Sequence, residues 1–128
     1  MLSLPALSSS TDVPYWVTIE VFRQYFDQED FLCRESVRIN PLYLDDWFYT
    51  PTDGIRRFLL PTVQIINGKT QFINGRHRTA VLQKYLENLP IAFLQNHESK
   101  DFLSRLSLPL LAIDKLIELP DLPITRNP

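Results

Sequence analysis

The sequence predicts an α/β (α+β) fold, a small mixed sheet with a central hairpin and packed helices. Three features predict it. Two β-rich runs, 62–66 and 69–73, flank Asn67-Gly68, the dipeptide that best suits a two-residue hairpin turn because both positions tolerate positive φ. A second Asn-Gly pair, Asn74-Gly75, opens a stretch with apolar residues at helical spacing, Leu82, Tyr85 or Leu86, and Leu89. Pro90 then predicts the helix stop, and Ile91 to Leu94 reads as a buried strand.

The remaining elements follow in chain order. Residues 1–14 are Ser/Pro-rich and aperiodic and read as a flexible arm, 15–119 as a single domain, and 120–128 as an extended tail. Trp16 to Ile19 reads as a short strand, after which Thr18 caps a helix to Phe26 whose Ile19, Phe22, Tyr25 and Phe26 recur at helical spacing. Val37, Ile39, Leu42 and Leu44 form an apolar run that Pro41 interrupts. Residues 45–54 read as a loop with the rings of Trp47, Phe48 and Tyr49 exposed, and with Asp45, Asp46 and Asp53 as turn residues. Ser99 is placed to cap a helix through Leu106, and Ser107 with Pro109 to start another carrying Leu110, Leu111, Ile113, Leu116 and Ile117.

Composition narrows the function. The 128 residues are 45% hydrophobic and 22% charged, which fits an ordinary folded domain. One cysteine, Cys33, excludes an internal disulfide framework, and with only His77 and His97 beside it a structural zinc site lacks ligands. No apolar run reaches the roughly 20 residues of a membrane span, and the first ten residues lack the charged flank and apolar stretch of a signal peptide, so a cytoplasmic protein is expected. The net charge is −2, but it is unevenly spread. Residues 54–86 carry Arg56, Arg57, Lys69, Arg76, Arg78 and Lys84 and no acid, while all 15 Asp and Glu lie outside. Such a segment is either an anion site or a solvated basic face paired with carboxylates elsewhere.

The run Asn74-Gly75-Arg76-His77-Arg78-Thr79-Ala80 favours the anion. Free amides and the macrodipole make a helix start positive, so first turns attract Asp and Glu. Here the first turn holds Arg76, His77 and Arg78. Each cation opposes the dipole by about 0.3–1 kcal/mol at an exposed end, and a bound anion reverses that sign. Gly75 lets the backbone approach a ligand closely. Arg78 shares a stripe with Leu82 and Leu89 and is expected to point inward, His77 lies on the neighbouring stripe, and Ala80 permits close helix–sheet packing. A phosphate bound by Gly75, Arg76, His77, Arg78 and Thr79 is one reading. Arginines paired with distant carboxylates and a structural imidazole at His77 is the other.

The order Leu60-Pro61 before a strand, the Asn-Gly hairpin, Gly75-Arg76-His77-Arg78 opening a helix with Ala80 behind it, and Pro90-Ile91 before the next strand resembles the ParB N-terminal/sulfiredoxin superfamily over residues 59–93. The resemblance implies a small α/β fold that binds a nucleotide phosphate at Gly75 to Arg78. Sulfiredoxins carry their redox cysteine where this chain has Arg76, which argues against that activity. Partition proteins add a downstream Glu-Asn-x-x-Arg motif, which residues 96–100 do not supply, and a helix-turn-helix reader for which too few residues follow. What remains resembles single-domain members such as plasmid fertility-inhibition and oncogenic-suppression proteins, to which nucleotide hydrolysis and DNA cleavage are credited. On that likeness ATP or another nucleotide, with Mg²⁺, is the expected cofactor, and a DNA backbone or a secretion or conjugation component the expected partner. His77 would shuttle a proton and Arg76 stabilise developing charge, as the catalytic pair. The alternative is a non-catalytic inhibitor with a vestigial anion site, acting through an interface such as Trp47-Phe48-Tyr49.

Overall fold

A computed structural model describes residues 2–9, 11–26, 43–107, 109–114, 116–121 and 124–125. Cys33 and the apolar run at 37–42 lie outside them. In chain order the elements are β1 (Leu2–Leu4), β2 (Ala6–Leu7), β3 (Asp12–Thr18), α1 (Ile19–Tyr25), β4 (Tyr43–Leu44), a 3₁₀ turn (Asp45–Trp47), β5 (Phe48–Tyr49) and β6 (Arg57–Leu59). There follow β7 (Thr62–Ile66), β8 (Lys69–Asn74), α2 (Arg76–Leu82), β9 (Asn88–Leu94), α3 (His97–Ser104), β10 (Leu111–Ala112), β11 (Ile117–Leu119) and β12 (Ile124–Thr125). The fold is mixed α/β, as the sequence predicts.

The main sheet has five strands in the order β10-β3-β9-β7-β8. β3 and β9 run antiparallel over seven residue pairs, β7 lies parallel to β9, and β7 and β8 form the expected hairpin. Asn67 at φ 52° and Gly68 at φ 76° turn it, the two positive values that a type I′ turn requires. The hairpin is central in the chain but occupies one edge of the sheet. β9 sits in the middle, and Leu89 to Phe93 are buried on both faces, the pattern of a strand covered from each side.

Two prolines sit inside this sheet, where a missing N–H normally breaks a ladder. The Ala92 amide donates to the Pro61 carbonyl, so even-numbered residues of β9 turn their amides toward β7. Pro90 would therefore donate beyond the start of β7, where no ladder exists to break. Pro14 pairs with Ala92 and its carbonyl accepts from Ile113, so its ring turns toward β10, clear of the β9 ladder.

Aromatic rings tie the helices to this frame. Phe102 of α3 stacks on Phe93 at 6.1 Å and meets Tyr25 edge-on at 5.3 Å, and Phe26 packs against Phe22 at 4.8 Å and Phe72 at 5.7 Å. α1 starts as expected: the Thr18 hydroxyl accepts from the Val21 amide. Among the described residues no helix is long and apolar enough to cross a membrane.

Several expectations are corrected. The arm expected at 1–14 is woven into sheets: β1 pairs with β11, β2 runs parallel to β6, β3 begins at Asp12, and Leu4 is buried. At the other end β12 pairs with β4, so the 120–128 tail is partly laddered. Trp47 and Phe48 are core residues and only Tyr49 of the three rings is exposed, because the 3₁₀ turn folds the pair inward and Phe48 meets Phe58 edge-on at 5.8 Å. α2 ends at Leu82 rather than Leu89. Its bonds tighten to i→i+3 at Lys84 and Tyr85, and Pro90 forces an extended Leu89, so 88–94 is strand. Asn96, not Ser99, caps α3 by accepting from the Ser99 amide, while the Ser99 hydroxyl donates to the Leu94 carbonyl. The helix expected from Ser107 to Ile117 is replaced by two strands. Ile117 and Leu119 are buried around an exposed Glu118, and that alternation at period two prevails over the helical reading.

Phe102→Ala empties the joint between α3, α1 and β9 and is expected to cost about 3–5 kcal/mol, measured as a shift in urea midpoint at unchanged slope.

Candidate functional site

The corner at which an anion is expected is a glycine at the start of α2, but it is built differently from the expectation. Gly75 is the N-cap of α2 in the left-handed conformation, φ 87° and ψ 12°, and offers no side-chain cap. A Cβ at this position would stand 2.5 Å from Pro61 Cα, 2.6 Å from Pro61 Cβ and 2.8 Å from Arg78 Nη2. The glycine thus serves a backbone contact within the protein. It seats the start of α2 on the residue that leads into β7.

That seating places Arg78 on the wall of an open groove of about 780 Å³. Ser8, Ser9 and Thr11 from the β2–β3 connection line it together with Thr62 and Asn74. Leu59, Leu60, Ile73 and Leu94 supply the apolar part, and Asp12 is the acidic residue of the lining. The β7–β8 ladder slips between Thr62 and Val63, which pair with Asn74 and Phe72, leaving Ile73 as the extra residue of a bulge. A bulge bends its strand, and this one sets Ile73 and Asn74 against the groove.

Arg78 is half-buried and charged. Its Nη2 donates to the Asn74 side-chain oxygen at 3.1 Å. Its Nε–H is buried and has no acceptor among the described residues. Desolvation lowers its pKa from the ordinary arginine range, partly opposed by the field of Asp46. Asp12 shows the complementary effect, its carboxyl pushed up by burial alone. Among the described residues the two are not paired with each other.

The five residues expected to hold a phosphate divide. Arg78 lines the groove and Gly75 supports it from behind. Thr79 is buried, and both its amide and its hydroxyl bond the Gly75 carbonyl, at 3.0 and 2.9 Å. His77 is exposed, and neither it nor Arg76 is part of the groove lining. The reason is helical geometry: successive side chains are about 100° apart, so three in a row cannot share a face. The basic segment also disperses. Arg57 pairs with Asp53 at 2.7 Å, the Arg56 guanidinium lies 4.2 Å over the Phe48 ring, and Lys69 and Lys84 are exposed elsewhere. Asp53 is a turn residue, as expected, accepting from the Ile55 amide as well.

Sequence reading missed Asp12, Ser8, Ser9, Thr11 and Thr62, because strand pairing between distant segments brings them to Arg78. Asn74, adjacent to the motif, was within reach as an Asn preceding a glycine corner. Among the described residues no group of three or more His, Cys, Asp or Glu side chains could hold a metal ion. Comparison of the chain with protein-family models, with curated proteins and with solved structures finds no match.

Two outcomes are expected. Gly75→Ala meets Pro61 backbone at a positive φ and is expected to destabilise by about 2–4 kcal/mol, read by chemical denaturation, from conformational strain plus overpacking. For Asp12 the folded pKa lies above the unfolded value, so its stabilising contribution is complete below about pH 3.8 and is lost as pH rises through the raised folded value. Asp12→Asn is therefore expected to gain melting temperature relative to the parent between pH 3 and pH 7, and a difference that is flat with pH would contradict this.

Proposed function

We propose that the chain is a nucleotide-binding protein whose phosphate seat is the Arg78 wall of the groove. The observation that carries this reading is the half-buried Arg78 guanidinium on the wall of a concave space, bonded among the described residues only to the neutral Asn74 oxygen, with Thr62 beside it. A phosphate oxygen meets the remaining N–H donors of such a guanidinium with charge-assisted bonds. The volume falls in the range of small-molecule and cofactor sites, and the apolar side chains offer a surface for a sugar or base. The likeness of residues 59–93 to the ParB N-terminal/sulfiredoxin superfamily supports the same ligand class. Mg²⁺ would arrive held by phosphate oxygens and water.

Binding is better supported than turnover. With His77 and Arg76 off the groove wall, the proposed proton shuttle and charge stabiliser have no defined route to a ligand seated on Arg78. ATP hydrolysis, DNA cleavage and a role in plasmid interference rest on the resemblance alone.

A second reading, an inhibitor acting through protein contact, draws on a different place. Leu111, Leu116 and Tyr85, exposed by 74%, 56% and 46%, surround an apolar hollow with Trp16, and Glu87 and Glu118 also line it. Its chemistry suits an apolar partner segment flanked by basic residues.

The readings separate by titration with labelled ATP and CTP, with and without Mg²⁺. Saturable binding is expected, weakened at least tenfold in Arg78→Ala and by less than twofold in His77→Ala. Binding unaffected by Arg78→Ala, or no binding of any nucleotide, would remove the proposal and leave the second reading.

A further inference from the structure

We infer that the groove discriminates among nucleotides by their base edge: Asp12 accepts from an amino-bearing base, adenine, cytosine or guanine, while the phosphates lie on Arg78. This rests on the nucleotide reading of the same groove and adds the ligand's other end.

Register places the two ends on one face. Asp12 pairs directly with Leu94, and Thr62 pairs with both Ala92 and Asn74. Direct partners in a sheet project to the same side, as do residues two apart on one strand. Asp12, Leu94, Thr62 and Asn74 therefore share a face, with α2 delivering Arg78 beside Asn74. β3 and β7 are second neighbours across β9, about 10 Å apart at the usual strand spacing. A nucleoside phosphate covers such a span from base edge to phosphate chain, and Leu94 lies between as an apolar surface for the ring.

The unmet valences of the two ends are opposite. Among the described residues the Arg78 guanidinium meets only the neutral Asn74 oxygen. Among the described residues the Asp12 carboxylate receives no hydrogen bond, and its environment disfavours the charge. A plain anion satisfies the first and leaves the second worse off. A ligand with phosphate at one end and N–H donors at the other satisfies both. A carboxylate accepts readily from the amino groups of cytosine, adenine or guanine. Uracil turns two carbonyl oxygens to either side of its single N–H, and these repel a carboxylate.

The test is a set of titrations with ATP, CTP, GTP, UTP and inorganic tripolyphosphate on the parent protein, Asp12→Asn and Arg78→Ala, with folding checked by circular dichroism. In the parent, UTP is expected to bind at least tenfold more weakly than the best amino-bearing nucleotide, the scale of one good base-edge contact. Asn carries a donor as well as an acceptor, so Asp12→Asn is expected to narrow that gap to about twofold while tripolyphosphate, relieved of the carboxylate, binds no more weakly than to the parent. Arg78→Ala is expected to weaken all five. Equal affinity of the parent for all four nucleotides, or a preference that Asp12→Asn leaves intact, overturns the base-edge assignment while the Arg78 seat stands. Loss of discrimination without any effect of Arg78→Ala overturns the seat itself, and absence of binding by the parent overturns both.

Discussion

The contact between Gly75 and Pro61 is the constraint on which the site depends. Helix α2 can begin where it does only because residue 75 has no Cβ, since the backbone of Pro61 occupies the place that Cβ would take. Pro61 in turn fixes the parallel pairing of β7 with β9, its carbonyl accepting from Ala92 at 2.8 Å. One close approach therefore ties the start of a helix to the registration of the central strands. The direction of Arg78, three residues on, follows from it.

The electrostatics of the groove follow from that geometry. A guanidinium held against a sheet face loses water on one side, and the neutral Asn74 oxygen replaces only part of it. Asp46 contributes attraction through space but forms no bond with Arg78 among the described residues. Across the sheet Asp12 is desolvated in the same way with the opposite sign. Well-packed proteins usually cancel such groups by pairing them. Here the strand between them keeps them apart, and among the described residues neither is bonded to a group of opposite charge.

Much of the local structure was legible. Asn67-Gly68 specified its hairpin because few sequences tolerate two positive φ values in succession. Thr18 announced α1 by its hydroxyl. Gly75 and Arg78 were legible as a corner, although what the structure shows to require Gly75 is the backbone of Pro61. Legibility ended where pairing is long-range. Residues 2–9 look like an arm because strands of two or three residues carry no periodicity, and their partners, 57–59 and 117–119, are far along the chain. Leu110 to Ile117 spaces its apolar residues as a helix would, and only burial on β11 decides for a strand. The same long-range pairing hid Asp12, Thr11 and Thr62, so half the groove wall could not be named from local pattern. His77 and Arg76 stand beside Arg78 in sequence but off the groove lining, because neighbouring stripes of a helix face different ways.

The most direct measurement is the ¹⁵N–¹H resonance of the Arg78 Nε–H, assigned by comparison with an arginine substitution and followed by nuclear magnetic resonance during titration with ADP. The account predicts a single saturable shift of that resonance, larger than at any other arginine, with the exposed His77 ring unmoved. A titration that shifts Arg76 or the surface arginines while the Arg78 Nε–H stays fixed would contradict it.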